Sequence, residues 1–209
     1  MQDTRVPSGI HPLLLEIRQG ARRPVCLDIG CGPSKVPGSI GIDALPYENV
    51  DLVGDVFDVL SQFPDGSVDH VHSKHFLEHL PDLGRLLDEL ARVMKTGGTV
   101  RIIVPHFTNP YYYSDPTHKT PFGLYTFCYY AKANGMFRRQ VPTYQRKISF
   151  SIDDVELSFQ TTPGQYVRSA FKKTLQTIVN INSYTQELYE EMFCYLFPCY
   201  ELRYTLRRT

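Results

Sequence analysis

Short apolar runs broken by single polar residues recur through the first half of the chain. In VCLDIGCG, residues 25–32, Val25, Leu27 and Ile29 are apolar, Asp28 interrupts them, and Gly30 and Gly32 stand where a buried strand would end. Residues 40–43 (IGID) predict a second strand ending in Asp43, and residues 50–56 (VDLVGDV) a third ending at Asp55. Residues 67–73 (SVDHVHS) and 99–105 (TVRIIVP) predict a fourth and a fifth. Between these two, Leu83, Leu86, Leu87, Leu90, Val93 and Met94 fall on one helical face, and Arg85, Asp88, Glu89, Arg92 and Lys95 on the other. Gly97 is the expected helix stop.

The second half has a different texture. Residues 106–122 begin at the carboxyl end of the fifth strand and hold three consecutive tyrosines, three prolines and two histidines, which predicts an ordered loop. Ile148, Phe150 and Ile152, then Val155, Leu157 and Phe159, form two alternating runs about Asp153 and Asp154, either a hairpin or one strand with a bulge. Residues 165–196 read as helical, with Ile178, Ile181, Leu188, Met192, Tyr195 and Leu196 as apolar faces. Tyr200, Leu202, Tyr204 and Leu206 alternate with Glu201, Arg203, Thr205 and Arg207, a half-buried final strand suited to antiparallel pairing. A helix over residues 11–19 would be free to close over a pocket as a lid.

Composition narrows the partners. The 209 residues are a single-domain length, and 22 basic against 22 acidic side chains give no broad nucleic-acid footprint. Five scattered cysteines, Cys26, Cys31, Cys128, Cys194 and Cys199, make neither a disulfide framework nor a zinc pattern, and read as reduced thiols of a cytoplasmic protein. The first seven residues lack a signal-type apolar core, and no stretch is long enough to span a bilayer.

The chemistry concentrates at strand ends. A glycine turn at the carboxyl end of a buried strand lets a ligand approach main-chain N–H groups, and an acid ending the second strand is placed to accept from both ribose hydroxyls. PSKVPG, residues 33–38, lies where a crossover helix would be expected, but its two prolines and a glycine allow only a loop or a single turn; Lys35 there reads as a solvated side chain. DIGCG at 28–32, the acid at Asp43, Gly54 with Asp55, PDGSVD at 64–69, LEHL at 77–80 and RVMKTGG at 92–98 occur in one order. That order resembles the class I S-adenosylmethionine (SAM) dependent methyltransferases, closely over about residues 22–108. The resemblance implies an α/β, Rossmann-like fold: a mostly parallel twisted sheet with an antiparallel C-terminal strand and helices on both faces. The chain would be one domain over 1–209, with substrate-covering insertions at about 106–145 and 165–196.

Carried over by residue, the resemblance implies that Asp28, Gly30, Cys31 and Gly32 line the methionine and ribose of SAM. Asp43 would hold the ribose hydroxyls, Asp55 with the Val56 backbone the adenine edge, and Ser73 and His75 the methionine end. DPTHK at 115–119 is similar to a segment of small bacterial SAM methyltransferases of glycan and natural-product pathways. Methylation of an O–H or N–H acceptor needs positioning and a proton acceptor, and histidine titrates near neutrality. His118 is the first candidate base and His106 the second, with Asp115 orienting an imidazole or gripping the acceptor. Tyr111, Tyr112 and Tyr113 offer an aromatic wall apt for a sulfonium, Tyr112 being placed with the catalytic set. His70, His72, His75 and His79 do not make a metal site by spacing, and no metal is expected. The expected activity is methyl transfer from SAM to an O or N acceptor on a small molecule or sugar. The alternative is cyclisation or elimination of SAM itself to methylthioadenosine. A nucleic-acid partner is not expected, and the oligomeric state, a homodimer included, stays open.

Overall fold

A computed structural model describes residues 11–21, 23–142, 144, 147–160, 164 and 166–209. The expectations for the first seven residues, and the insertion limits at 145 and 165, lie outside the described residues. A helix α1 (Pro12–Arg18) leads into β1 (Cys26–Ile29), β2 (Ile40–Asp43), β3 (Leu52–Val53), α2 (Val56–Leu60), β4 (Val68–Lys74), α3 (Leu83–Val93) and β5 (Met94–Pro105). Then come β6 (Phe150–Ser158), α4 (Tyr166–Val179), α5 (Ser183–Met192) and β7 (Glu201–Arg208). The strands form one seven-stranded sheet in the order β3-β2-β1-β4-β5-β7-β6. β1 to β5 are mutually parallel, and β7 runs antiparallel to both neighbours, β5 and β6.

Central strands of a parallel sheet are covered on both faces and therefore read as near-continuous apolar runs. Leu27, Ile29, Ile40, Ile42, Val68, Val100, Ile102 and Val104 are all essentially inaccessible. β3–α2–β4 and β4–α3–β5 advance the same way along the sheet, so the right-handed rule for such connections puts α2 and α3 on one face, where they touch. Arg92 ties the two helices by donating to the carbonyls of Leu60 and Phe63. Segments leaving the carboxyl ends of β1, β2, β3, β4, β5 and β6 meet at one edge of the sheet, where the candidate site lies.

Several expectations change. α3 stops at Val93 rather than near Gly97, because its last carbonyls are taken up by neighbouring chain: Gly66 and Ser67 donate to Arg92 and Val93. Met94 is already extended and pairs with Val68, so β5 begins there and Gly97, at φ +83°, lies within the strand. The paired runs about Asp153 are one strand, β6, whose register slips between Ile152 and Asp154 at a bulge. No helix intervenes between Gly32 and Ile40, as the prolines require. α1 is not a lid: Leu14 and Ile17 are buried in the core, and Arg18 donates to the Gln62 carbonyl beyond the far end of α2 from Asp55. Residues 166–192 form two helices, but Ile178, Ile181, Met192, Tyr195 and Leu196 face solvent instead of packing. No helix among the described residues is long and apolar enough to cross a membrane.

Candidate active site

The bend after β1 is built by close approach. Gly30 (φ +65°) and Gly32 (φ +51°) both occupy the left-handed region that favours glycine. A Cβ on Gly30 would stand 2.3–2.4 Å from the Phe76 side chain, so the turn after β1 and the turn after β4 touch only because Gly30 lacks one. A Cβ on Gly32 would meet nothing within 4 Å; that side of the bend is open. Asp43, at the end of β2, accepts from Gly32 N–H at 2.9 Å through Oδ2 and from Leu45 N–H at 2.9 Å through Oδ1. Asp55 caps α2, accepting from Phe57 N–H at 2.9 Å through Oδ1, and Val56 opens that helix with its side chain buried. Asp55 Oδ2 has no bonding partner among the described residues.

Two residues assigned to SAM by resemblance have other work. Asp28 is 2% exposed and both carboxylate oxygens are engaged, with His72 Nδ1 at 2.9 Å and Val36 N–H at 2.8 Å. It therefore pins the 33–38 loop to the sheet rather than facing a ligand. Ser73 is fully buried and donates to the Ile29 carbonyl at 3.2 Å, tying β4 to β1 beneath the bend. Lys35 is not a solvated side chain: it pairs with Asp51 at 2.6 Å, and Asp51 also accepts from Gly41 N–H. These bonds do for the loop what a crossover helix does elsewhere. Cys31 is buried in the bend, and burial together with the nearby Asp28 and Asp43 pushes its thiol up to about 11.

At the mouth of β4, His75 takes a left-handed backbone (φ +52°) and sets its ring between two buried acids. Nδ1 lies 3.4 Å from Glu78 Oε1 and Nε2 3.3 Å from Glu201 Oε2. The Glu201 and Glu78 carboxylates push the imidazole up to about 9, against the opposing effect of burial. Neither Phe76 nor Glu201 stands out in the sequence, and Glu78 does so only as part of LEHL at 77–80. Glu201 falls in the phase of β7 that alternation assigns outward, yet it is 1% exposed because the chain folds over that strand end.

The loop after β5 folds back on the 3₁₀ turn Leu77–His79, with Lys119 and Thr120 N–H donating to the Glu78 carbonyl. His118 Nδ1 bonds the Tyr112 carbonyl at 2.8 Å, and Tyr112, 7% exposed, stacks on the His118 ring at 4.8 Å. Asp115 Oδ2 lies 3.7 Å from His118 Nε2. His106 is a correction: it is wholly inaccessible, with Nδ1 on Thr108 at 2.7 Å and Nε2 on Glu190 at 3.1 Å. Its role is to clamp the loop to α5, not to meet an acceptor. Further along the edge, a cavity of about 550 Å³ is lined by Tyr111, Phe159, Gln160, Arg168, Lys172 and Tyr200, among others. Gln160 also donates to Glu201 at 2.8 Å, which links the cavity wall to the His75 cluster.

An adenosyl group presents flat apolar faces and polar edges. Beside the acids stand two apolar side chains that a folded protein would ordinarily cover, Leu45 (55% exposed) and Val53 (53%). Val53 is the register partner of Asp43, so the two side chains leave the same face of the sheet. Apolar walls, two carboxylates and an open glycine bend together fit SAM. Residues 36–102 match a protein family described as a methyltransferase domain. A SAM-dependent methyltransferase from Archaeoglobus fulgidus superposes with a TM-score of 0.54 at 21% identity, covering 94% of this chain and 93% of that one. The chain has the class I SAM-dependent methyltransferase fold. The YcgJ protein of Bacillus subtilis superposes with a TM-score of 0.50 at 19% identity over 93% of this chain and 97% of that one. Ajmaline N-methyltransferase of Rauvolfia serpentina is 35% identical over 82 residues, 39% of this chain. The chain spans 28% of that curated relative's length.

Proposed function

We propose that the protein transfers a methyl group from SAM to an oxygen or nitrogen of a small molecule or sugar. The observation that carries this reading is the alignment, along one sheet edge, of the open Gly30–Gly32 bend with the carboxylates of Asp43 and Asp55. SAM supplies the methyl on a sulfonium, whose carbon–sulfur electron pair stays on sulfur as the acceptor's lone pair bonds to the methyl carbon. Asp43 keeps spare lone pairs on both oxygens for the ribose hydroxyls, while its bond to Gly32 holds the bend in place. Asp55 Oδ2 is turned to the adenine edge, with Leu45 and Val53 as the apolar wall. Gly30, Cys31 and Gly32 lie along the ribose and methionine, and His75 stands at the methionine end. The acceptor is activated by the loop carrying His118 and Asp115, with Tyr112 fixing the His118 ring.

The cavity behind Tyr111 and Tyr200 accommodates an acceptor of a few hundred Å³, with aromatic walls for its body and Arg168 and Lys172 for an anionic end. Ajmaline N-methyltransferase, by its name, acts on a small molecule, which supports the same class for this chain. Five free cysteines suit the reducing cytoplasm. Calorimetric titration with SAM tests the cofactor site. Asp43→Ala removes a charged acceptor of two hydroxyl bonds, and should weaken binding by about 10–100-fold. Mass spectrometry of the purified protein with SAM, with and without a cell extract as acceptor source, tests the reaction. S-adenosylhomocysteine formed only with extract supports transfer; methylthioadenosine formed without it overturns it.

A further inference from the structure

Glu78, His79 and His118 each place a donor atom within 4.8 Å of the others', the histidine of the loop after β5 joining a pair that follows β4. The spacing of the neighbouring histidines hides this group, because its third member lies 39 residues beyond His79. What the cluster lacks is protons to share. A carbonyl only accepts, so the bond to Tyr112 puts the His118 proton on Nδ1 and leaves a lone pair on Nε2. Thr117 donates its single hydroxyl proton to Asp115 Oδ1 at 2.6 Å, so its oxygen accepts from His79 Nδ1 at 2.9 Å, and His79 Nε2 also carries a lone pair. Glu78 is 1% exposed, and its Oε2 is a buried carboxylate oxygen with no hydrogen-bond partner among the described residues. Asp115 Oδ2 adds a fourth acceptor 3.7 Å from His118 Nε2.

Three electron-pair donors gathered within 4.8 Å, with a fourth beside His118, are mutually repulsive when no proton lies between them, and a buried unpaired carboxylate oxygen is costly. A cation resolves both. Bond lengths of about 2.0–2.2 Å from imidazole nitrogen and carboxylate oxygen span separations of this size after small side-chain rotations. We propose that Glu78, His79 and His118, with Asp115, bind one divalent first-row transition-metal ion. Two imidazoles with one or two carboxylates suit Zn²⁺, Fe²⁺ or Mn²⁺ better than the all-oxygen shells of Mg²⁺ or Ca²⁺. The Tyr112 carbonyl and Thr117 hydroxyl are the outer partners that fix each ligand's tautomer. Binding of the ion stands apart from the methyl-transfer reading. Its use rests on that reading: at the mouth of β4 the ion polarises an acceptor hydroxyl or amine and promotes loss of its proton.

The test uses the full chain, stripped with a chelator and dialysed against Zn²⁺, Co²⁺ or Mn²⁺. Metal content is read by elemental analysis, and Co²⁺ ligation by visible absorption. One ion per chain is expected, lost in His79→Ala/His118→Ala. Thr117→Val keeps every donor but frees the His79 tautomer, and should weaken affinity about 10–100-fold. Should the double variant misfold, Mn²⁺ broadening of the His79 and His118 imidazole resonances in the native protein reads the same ligands. Absence of uptake by protein that still titrates with SAM overturns the metal site alone, as does uptake unaltered by the double variant. Metal uptake without SAM binding would instead sink the methyltransferase reading and leave the metal site standing.

Discussion

Adding a single methyl group at Gly30 tests whether the active-site edge is held by contact between the β1 and β4 turns. Gly30→Ala imposes two costs. An L-residue at φ +65° costs about 1–2 kcal/mol. The new Cβ would also lie 2.3–2.4 Å from Cβ, Cγ and Cδ2 of Phe76, so the ring must leave its place against the core. Overpacking of this kind adds about 1–3 kcal/mol. Gly32→Ala carries only the first cost, because its Cβ enters open space at φ +51°. Urea denaturation should therefore show a loss of about 1–2 kcal/mol for Gly32→Ala and about 2–5 kcal/mol for Gly30→Ala. Adding Phe76→Gly, which removes the clashing Cβ as well as the ring, to Gly30→Ala should recover part of the difference, whereas Phe76→Gly alone is destabilising, which is a favourable coupling in a double-mutant cycle. Equal losses for the two glycine variants, or additivity in the cycle, would refute the claim that the close approach of Phe76 is what requires Gly30.

Asp28→Ala removes the acceptor of two bonds and leaves the Val36 N–H without its partner, so stability should fall by about 1–3 kcal/mol, with SAM affinity reduced through the loosened 33–38 loop. Urea titration and calorimetry on the same preparation measure both effects. Burial alone would raise the Asp69 pKa, but bonds from Lys95 and from Val25 N–H outweigh it and hold it below the usual value. Its contribution is therefore present above the unfolded value of about 3.9 and is lost as the pH falls through the lower folded value. Asp69→Asn should be less stable than the parent at pH 7, and the two should converge below that range in denaturation curves taken against pH. With its thiol pushed up to about 11, Cys31 should resist iodoacetamide at pH 8, its alkylation rising about tenfold per pH unit towards pH 10 when followed by peptide mass spectrometry.

The sheet was readable because strand patterning and turn residues are local. Gly30, Asp43 and Asp55 close strands within a few residues, and Leu202, Tyr204 and Leu206 announce β7 by period alone. Partnership is not local. Asp28 looks like a ligand-facing acid until Val36 and His72 take its two oxygens, the second from 44 residues away. His106 follows a strand as catalytic residues often do, but Glu190, 84 residues on, closes over it. The helix-to-strand change at Met94 escaped because the apolar period of α3 runs straight into the core positions of β5; the carbonyl partners at Gly66 and Ser67 decide it. Apolar periodicity in α4 and α5 marks a face without saying whether anything covers it.

The reversed strand β7 is the clasp of the molecule. Among the described residues β7 is the strand that pairs with β6 along its length, while the side chains of Asn180 and Gln186 bond the Leu157 and Val155 main chain from the helical side. Within the sheet, the cavity wall at Phe159 and Gln160 is joined to the parallel strands through residues 201–208. Pulled apart by force at β7, this protein should lose the cavity beside Phe159 while the glycine bend after β1 persists.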